Sequence, residues 1–240
     1  MIRAAACAIA ALAVIAATLR APLHGDFSHY TFALTWQPGI CATGGGCLPG
    51  QPRSSLIGLH GLWASRPRAL IERGVTDPQW WRKGCDYYAH SSAAPALGNA
   101  LRRRLDEVMP HFEHSLLTHE YDKHVRCFGF DPTAFFSTEL AMRARVAANA
   151  FGKYLVASSG HIVAQKAVVA RFDSAFSTHA SASLQLQCER DDAGRTVLTQ
   201  FWITIKTSEL GEFPRGVSLM NAPTSQDTCP AYFLVPAWLG

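Results

Sequence analysis

Six cysteines, at positions 41, 47, 85, 127, 188 and 229, are spread over most of the chain behind an apolar leader that holds a seventh, Cys7. An even set of thiols in an exported chain implies a disulfide framework, and bridges between distant positions narrow the possible folds. Sequence alone leaves fifteen pairings open. Export is read from the N-terminus, where Arg3 gives a positive start and Ala4 to Ala17 is uncharged and apolar. That run is too short to cross a bilayer and reads as a signal peptide. Cleavage is expected after Ala17, with Ile15 at the third position back, or as late as Ala21. Residues 18–240 are then one secreted or periplasmic domain, with no membrane attachment once the signal is gone and Cys7 lost with it.

The rest of the chain supports a packed core. Of 240 residues, 48% are hydrophobic and 17% charged, which fits one globular domain and excludes a disordered or fibrous chain. Tyr30, Phe32, Leu34 and Trp36 alternate between His29 and Gln37, a strand signal. Ser183–Cys188 and Arg195–Thr207 read as a hairpin turned at Asp191-Asp192-Ala193-Gly194. Ala96 to Met109 reads as a helix with Leu97, Leu101, Leu105 and Val108 on one face and Pro110 ending it. Phe135 to Ala157 and Ile162 to Phe172 also read as helices. Strands and helices mix without βαβ regularity, so the expected class is α+β, a mainly antiparallel central sheet flanked by helices. The formal charge is +4, and +3 once Arg3 leaves with the signal; this favours RNA mildly and identifies nothing by itself.

The chemistry is concentrated at His119-Glu120-Tyr121-Asp122-Lys123-His124. On a helix, at about 100° per residue, His119, Glu120, Lys123 and His124 share an arc of about 140°. Upstream, His60 stands between Gly58-Leu59 and Gly61-Leu62-Trp63. Two imidazoles, a carboxylate and an ammonium suit cleavage of an RNA phosphodiester without metal. RNA brings its own nucleophile, the 2′-hydroxyl. Histidine titrates near pH 6.5, so one copy can accept the hydroxyl proton while another protonates the leaving 5′-oxygen. Lys123 would stabilise charge on the phosphoryl oxygens. Glu120 could orient an imidazole or the lysine and keep a neighbouring histidine protonated. These residues alone do not say which histidine is acid and which is base.

His60-Gly61-Leu62-Trp63 and the 119–124 segment, in this order and about 60 residues apart, resemble the two active-site segments of the ribonuclease T-two (acid ribonuclease) family, nearest its bacterial ribonuclease I branch. Leu34-Thr35-Trp36-Gln37, Arg73-Gly74-Val75-Thr76-Asp77, Glu107-Val108-Met109-Pro110 and Cys127-Phe128-Gly129-Phe130-Asp131-Pro132 extend the likeness over nearly the whole mature chain. The resemblance implies His60 as general acid, His124 as general base, Glu120 and Lys123 as transition-state stabilisers, and His119 as a phosphate or substrate contact. It implies the disulfides Cys85–Cys127, Cys188–Cys229 and Cys41–Cys47. It also implies a monomeric endoribonuclease without cofactor. Its substrate would be single-stranded RNA, cleaved through a 2′,3′-cyclic phosphate to 3′-phosphate ends. Two departures stand out. Ala64-Ser65 replaces a usual proline and, in many members, a base-reading acidic residue, which points to low base specificity. Val125 replaces a usual glycine beside His124.

Two other readings compete for the same residues. A zinc motif needs histidines at i and i+4, whereas His119 and His124 are five apart with Lys123 at i+4, so no metal is expected. An exported RNA-binding or inhibitory protein of the same fold would lack turnover. Trp63 is expected to pack against the catalytic wall, to stack on a base as a substrate contact, or both, and Tyr121 to pack in the core. His24, His29, His90, His111, His114, His161 and His179 are expected to be surface or structural.

Overall fold

In the computed structural model, residues 23–44, 46–91 and 93–238 are described; the expected signal peptide lies outside them. Among these residues eight α-helices span Gln37–Ile40 (α1), Arg68–Glu72 (α2), Asp77–Lys83 (α3), Asn99–Asp106 (α4), Leu116–Glu120 (α5), Pro132–Ala148 (α6), Ala150–Ala157 (α7) and Gln165–Phe176 (α8). The same described residues hold six strands, His29–Trp36 (β1), Ile57–Ala64 (β2), His161–Ala164 (β3), Leu184–Arg190 (β4), Thr196–Lys206 (β5) and Tyr232–Val235 (β6). They form one sheet of order β2-β1-β5-β6-β3, with β4 also paired to β5. All pairings are antiparallel except the short β5–β6 contact, so the α+β class with a mainly antiparallel sheet is what the chain adopts.

The strands are more buried than one-sided alternation implies. Phe32, Ala33, Leu34 and Trp36 of β1 are all fully buried, in a central strand flanked on its two edges by β2 and β5. The β4–β5 hairpin turns at Asp191, whose carboxylate accepts the Ala193 and Arg195 amides while Gly194 takes a positive φ of 74°.

Three helix expectations are corrected. The first helix is shorter, starting after Gly98 and ending at Asp106. The expected single rod from Phe135 to Ala157 is broken at Asn149, whose backbone is extended and whose side-chain oxygen accepts the Gly152 amide, capping a second helix. The expected helix from Ile162 begins three residues later. Ile162 and Val163 instead pair with Leu234 and Phe233 of β6, where β-branched side chains suit a strand.

Among the described residues three disulfides join Cys41 to Cys47, Cys85 to Cys127 and Cys188 to Cys229. The second links the turn after α3 to the segment that follows His124. Gly84 beside it has φ +52°, and a Cβ there would lie 2.3 Å from the Lys123 carbonyl oxygen. That backbone therefore presses directly on the chain that carries Lys123 and His124.

Candidate active site

Two backbone irregularities bring the histidines together. In the β1–β2 pairing, Ala33 faces Gly61 but Leu34 faces Leu59, so His60 is the extra residue of a β-bulge. Bulges re-aim side chains, and this one turns His60 toward Glu120 and Gln200. The 119–124 segment is not one regular helix. It starts as α5, capped by Ser115 on the Thr118 amide, and opens into a π-type turn over Tyr121–Val125. A wider turn brings residues five apart near each other, and the His119 and His124 rings lie 6.4 Å apart. His119, Glu120 and His124 can thus each bring one atom within 4.8 Å of the others. The five-residue spacing by itself is therefore no bar to a shared cation.

Glu120 is the hub. It is 2% exposed; Trp63 Nε1 donates to its Oε2 at 2.6 Å, and His60 Nε2 lies 3.3 Å from its Oε1. The Trp63 ring stands edge-on to His60, tilted over His124 and edge-on to Trp202. Trp63 is thus the wall between both histidines and also a donor to the carboxylate. Gly61 makes room for this: a Cβ there would fall 2.0 Å from Glu120 Oε2 and 2.7 Å from Trp63 Nε1. Gly61→Ala should lower kcat/KM on RNA by about ten- to a hundredfold by displacing the carboxylate. Steady-state cleavage with circular dichroism as a folding control checks this; full activity in a folded variant would contradict it.

His60, His119, Glu120, Lys123, His124 and Trp63 all line one cavity of about 600 Å³. Inside it the two imidazoles are tuned in opposite directions. Burial acts to lower the His60 pKa, but the Glu120 charge and the hydrogen bonds to Glu120 and Gln200 outweigh it and raise it, with Lys123 opposing. Burial pushes His124 down to about 4, helped by Lys123 and only partly offset by Glu120. His119 is exposed and is also lowered, mainly by desolvation. Burial would raise Glu120, but His60, His124 and the Trp63 hydrogen bond together hold it below the ordinary value.

Several cavity residues escape the sequence reading. Trp202 and Thr204 line the cavity from β5, with Gln200 on the same strand in hydrogen-bond contact with His60; all three lie beyond any motif, and only their alternation in a buried strand marks that face. His29, expected to be surface or structural, also lines the cavity. Its Nδ1 is 2.8 Å from Ser28 Oγ, and burial lowers its pKa. Ser65 also lines the cavity, and its hydroxyl accepts the Ser28 and His29 amides, both at 3.2 Å. Val125 is 1% exposed with φ −123°, so the backbone beside His124 makes no demand for glycine. Tyr121 packs against the core, as expected.

Glu139 of α6 lies behind the site, 1% exposed, with neither carboxyl oxygen in a well-formed hydrogen bond. Burial, and then the Glu120 charge, hold its carboxyl well above the usual range, while the Leu62 amide pulls the other way. A raised pKa in the folded state favours folding most at acid pH, and that advantage is lost as pH climbs toward the folded-state value. Glu139→Gln should therefore change stability little at pH 4 and raise it increasingly toward neutral pH. Thermal melts at both pH values check this, and a gain that does not grow with pH would contradict it.

The chain matches the sequence profile of the Ribonuclease T2 family over residues 27–213. It belongs to that family. It is 28% identical to Ribonuclease I of Escherichia coli (strain K12), across 89% of this chain and 84% of that protein. Its fold is also that of solved plant ribonucleases. A variant of ribonuclease MC1 in complex with 5′-GMP superposes with a TM-score of 0.61 at 20% identity, covering 87% of this chain and all of that one. The self-incompatibility-associated SF11-RNase of Nicotiana alata gives 0.60 at 15% identity, with coverages of 86% and 96%. The chain is an endoribonuclease of this family.

Proposed function

We propose that His124 and His60 work as a base–acid pair on single-stranded RNA without a metal ion. The observation that carries this is that two imidazoles line one cavity around buried Glu120, which lies 3.3 Å from His60, and their surroundings push them apart, His124 toward the neutral and His60 toward the protonated form. In the first step His124 takes the 2′-hydroxyl proton, and the 2′-oxygen bonds to phosphorus. The bond from phosphorus to the 5′-oxygen breaks, and that oxygen takes the His60 proton. The products are a 2′,3′-cyclic phosphate and a free 5′-hydroxyl. In the slower second step neutral His60 takes a proton from water, whose oxygen attacks phosphorus. The 2′-oxygen leaves with the proton held on His124, giving a 3′-phosphate. Lys123 and Glu120 stabilise the transition state, Lys123 by its charge at the phosphoryl oxygens and Glu120 by holding the His60 proton in place. His119, at the cavity mouth, contacts phosphate or substrate, and Trp63 offers a base an aromatic wall.

Base preference is low. Ser65, at the position where many family members read the base with a carboxylate, is engaged with the backbone of residues 28 and 29. The chain acts as a monomer after export to the periplasm or the outside of the cell. Among the described residues no helix is long and apolar enough to cross a membrane.

Digestion of single-stranded RNA in excess EDTA tests the reading. Undiminished cleavage with 2′,3′-cyclic phosphate and then 3′-phosphate ends is the expected result; loss of cleavage restored by zinc would move the chemistry to a metal at His119, Glu120 and His124. The pH dependence follows from the same tuning. The acid limb of kcat/KM reports protonation of His124 and should fall near pH 4, and the alkaline limb reports loss of the His60 proton and should lie above 6.5. A rate rising steadily to pH 10 would contradict the pair.

A further inference from the structure

We propose that Gln200 and Trp202 are positioning residues that lock His60 as an imidazolium, through a relay of hydrogen bonds whose direction is fixed at Trp202. This rests on the assignment of His60 as the acid and names what sets its charge. Trp202 Nε1 lies 3.1 Å from Gln200 Oε1, and His60 Nδ1 lies 2.7 Å from the same atom. An indole N–H can only donate. The atom of the Gln200 amide facing both rings must then be its oxygen, because the amide nitrogen would set donor against donor. That oxygen can only accept, so His60 Nδ1 carries a proton.

The other ring nitrogen faces Glu120. Trp63 donates to one oxygen of that carboxylate at 2.6 Å, and the second oxygen lies 3.3 Å from His60 Nε2. With Nδ1 already protonated, a neutral ring would turn its Nε2 lone pair toward a buried anion, which is repulsive. A proton on Nε2 converts that contact into an ion pair. Two donor-only indoles, Trp202 on β5 and Trp63 on β2, thus fix two acceptors that between them protonate both nitrogens of one imidazole. The arrangement is tied to the fold, since Gln200 and Trp202 sit on successive same-face positions of β5 and His60 reaches them through its bulge.

The charges acting on this ring agree with the accounting. Glu120 favours the imidazolium from α5, Lys123 opposes it from the π-type turn, and His119 and His124 interact with it from the same segment. From the sheet side Gln200 contributes an uncharged acceptor. A hydrogen bond to a charged group is strong enough that losing this acceptor should move the His60 titration down by about one pH unit.

The test is ¹⁵N NMR of histidine side chains across pH, with the His60 signals assigned by their absence in His60→Ala, combined with pH profiles of kcat/KM. In the native chain both His60 ring nitrogens should be protonated to above the ordinary histidine midpoint. Gln200→Leu should lower that midpoint by about one unit and carry the alkaline limb with it. Its loss of rate should be several-fold greater on RNA than on a nitrophenyl uridine 3′-phosphate, whose leaving group needs no acid. Gln200→Glu, which keeps an acceptor and adds negative charge, should hold the midpoint at or above the native one. Trp202→Phe, which frees the amide to flip, should lower it. An unchanged midpoint in folded Gln200→Leu would overturn the proposal; a lowered midpoint with equal losses on both substrates would support the relay and refute His60 as the acid. A midpoint that moves while the alkaline limb stays put would support the Gln200 relay and refute His60 as the acid.

Discussion

Alanine at His124 or at His60 should lower kcat on RNA by about 10²–10⁴-fold, with a much smaller change in RNA affinity. In the proposed base–acid pair each imidazole would move a proton in the transition state, whereas ground-state attraction would be shared by Lys123, His119 and other cationic groups. Stability should change little at His124, whose Nδ1 is buried without a hydrogen-bond partner, so truncation removes an unsatisfied polar atom along with the ring. His60→Ala is different, because it leaves Glu120 buried without its partner cation. That variant should also lose stability at neutral pH, where Glu120 is ionised. Single-turnover cleavage and RNA titration under identical conditions separate the two effects. Near-normal turnover in both variants would place the active site elsewhere.

Opening the Cys85–Cys127 bridge is the second large effect. It closes a loop with a sequence separation of 42, and its removal as a paired Cys85→Ser, Cys127→Ser variant should cost about 2–4 kcal/mol on loop-entropy grounds. For a chain of this size that corresponds to a melting temperature lower by about 5–15 °C. Activity at a temperature where the variant is still folded should also fall, because the bridge and Gly84 press on the turn that presents Lys123 and His124. Removing Cys41–Cys47, a separation of 6, gives a stability comparison away from the catalytic segment. If both variants melt alike and keep full activity, the Cys85–Cys127 bridge has no part in holding the site.

What the sequence reveals about this site depends on how local the cause is. His60, Glu120, Lys123 and His124 are legible because short motifs carry them, and the strands at His29 and the 191–194 turn are legible from alternation and turn chemistry. The two features that aim the histidines are not. The bulge at His60 exists only relative to the pairing partner Ala33–Leu34, and the π-type turn at Tyr121–Val125 only relative to the packing of Gly84 and Val125. Gln200 is invisible for the same reason, being 140 residues from the ring it contacts. The helix errors have local causes that periodicity overlooks. Asn149 caps where a long apolar pattern suggests continuation, and Ile162-Val163 is claimed by a strand partner at the far end of the chain. The spacing argument against a shared cation at His119 and His124 fails because it assumes a regular helix, which the chain does not keep there.

The assignment of acid and base is tested most directly with the leaving group. A nitrophenyl uridine 3′-phosphate expels a phenolate that needs no proton, while its 2′-hydroxyl still needs a base. On this substrate His60→Ala should recover much of the activity it loses on RNA, and His124→Ala should stay slow. Recovery of His124→Ala with His60→Ala left slow would contradict the account and reverse the two roles.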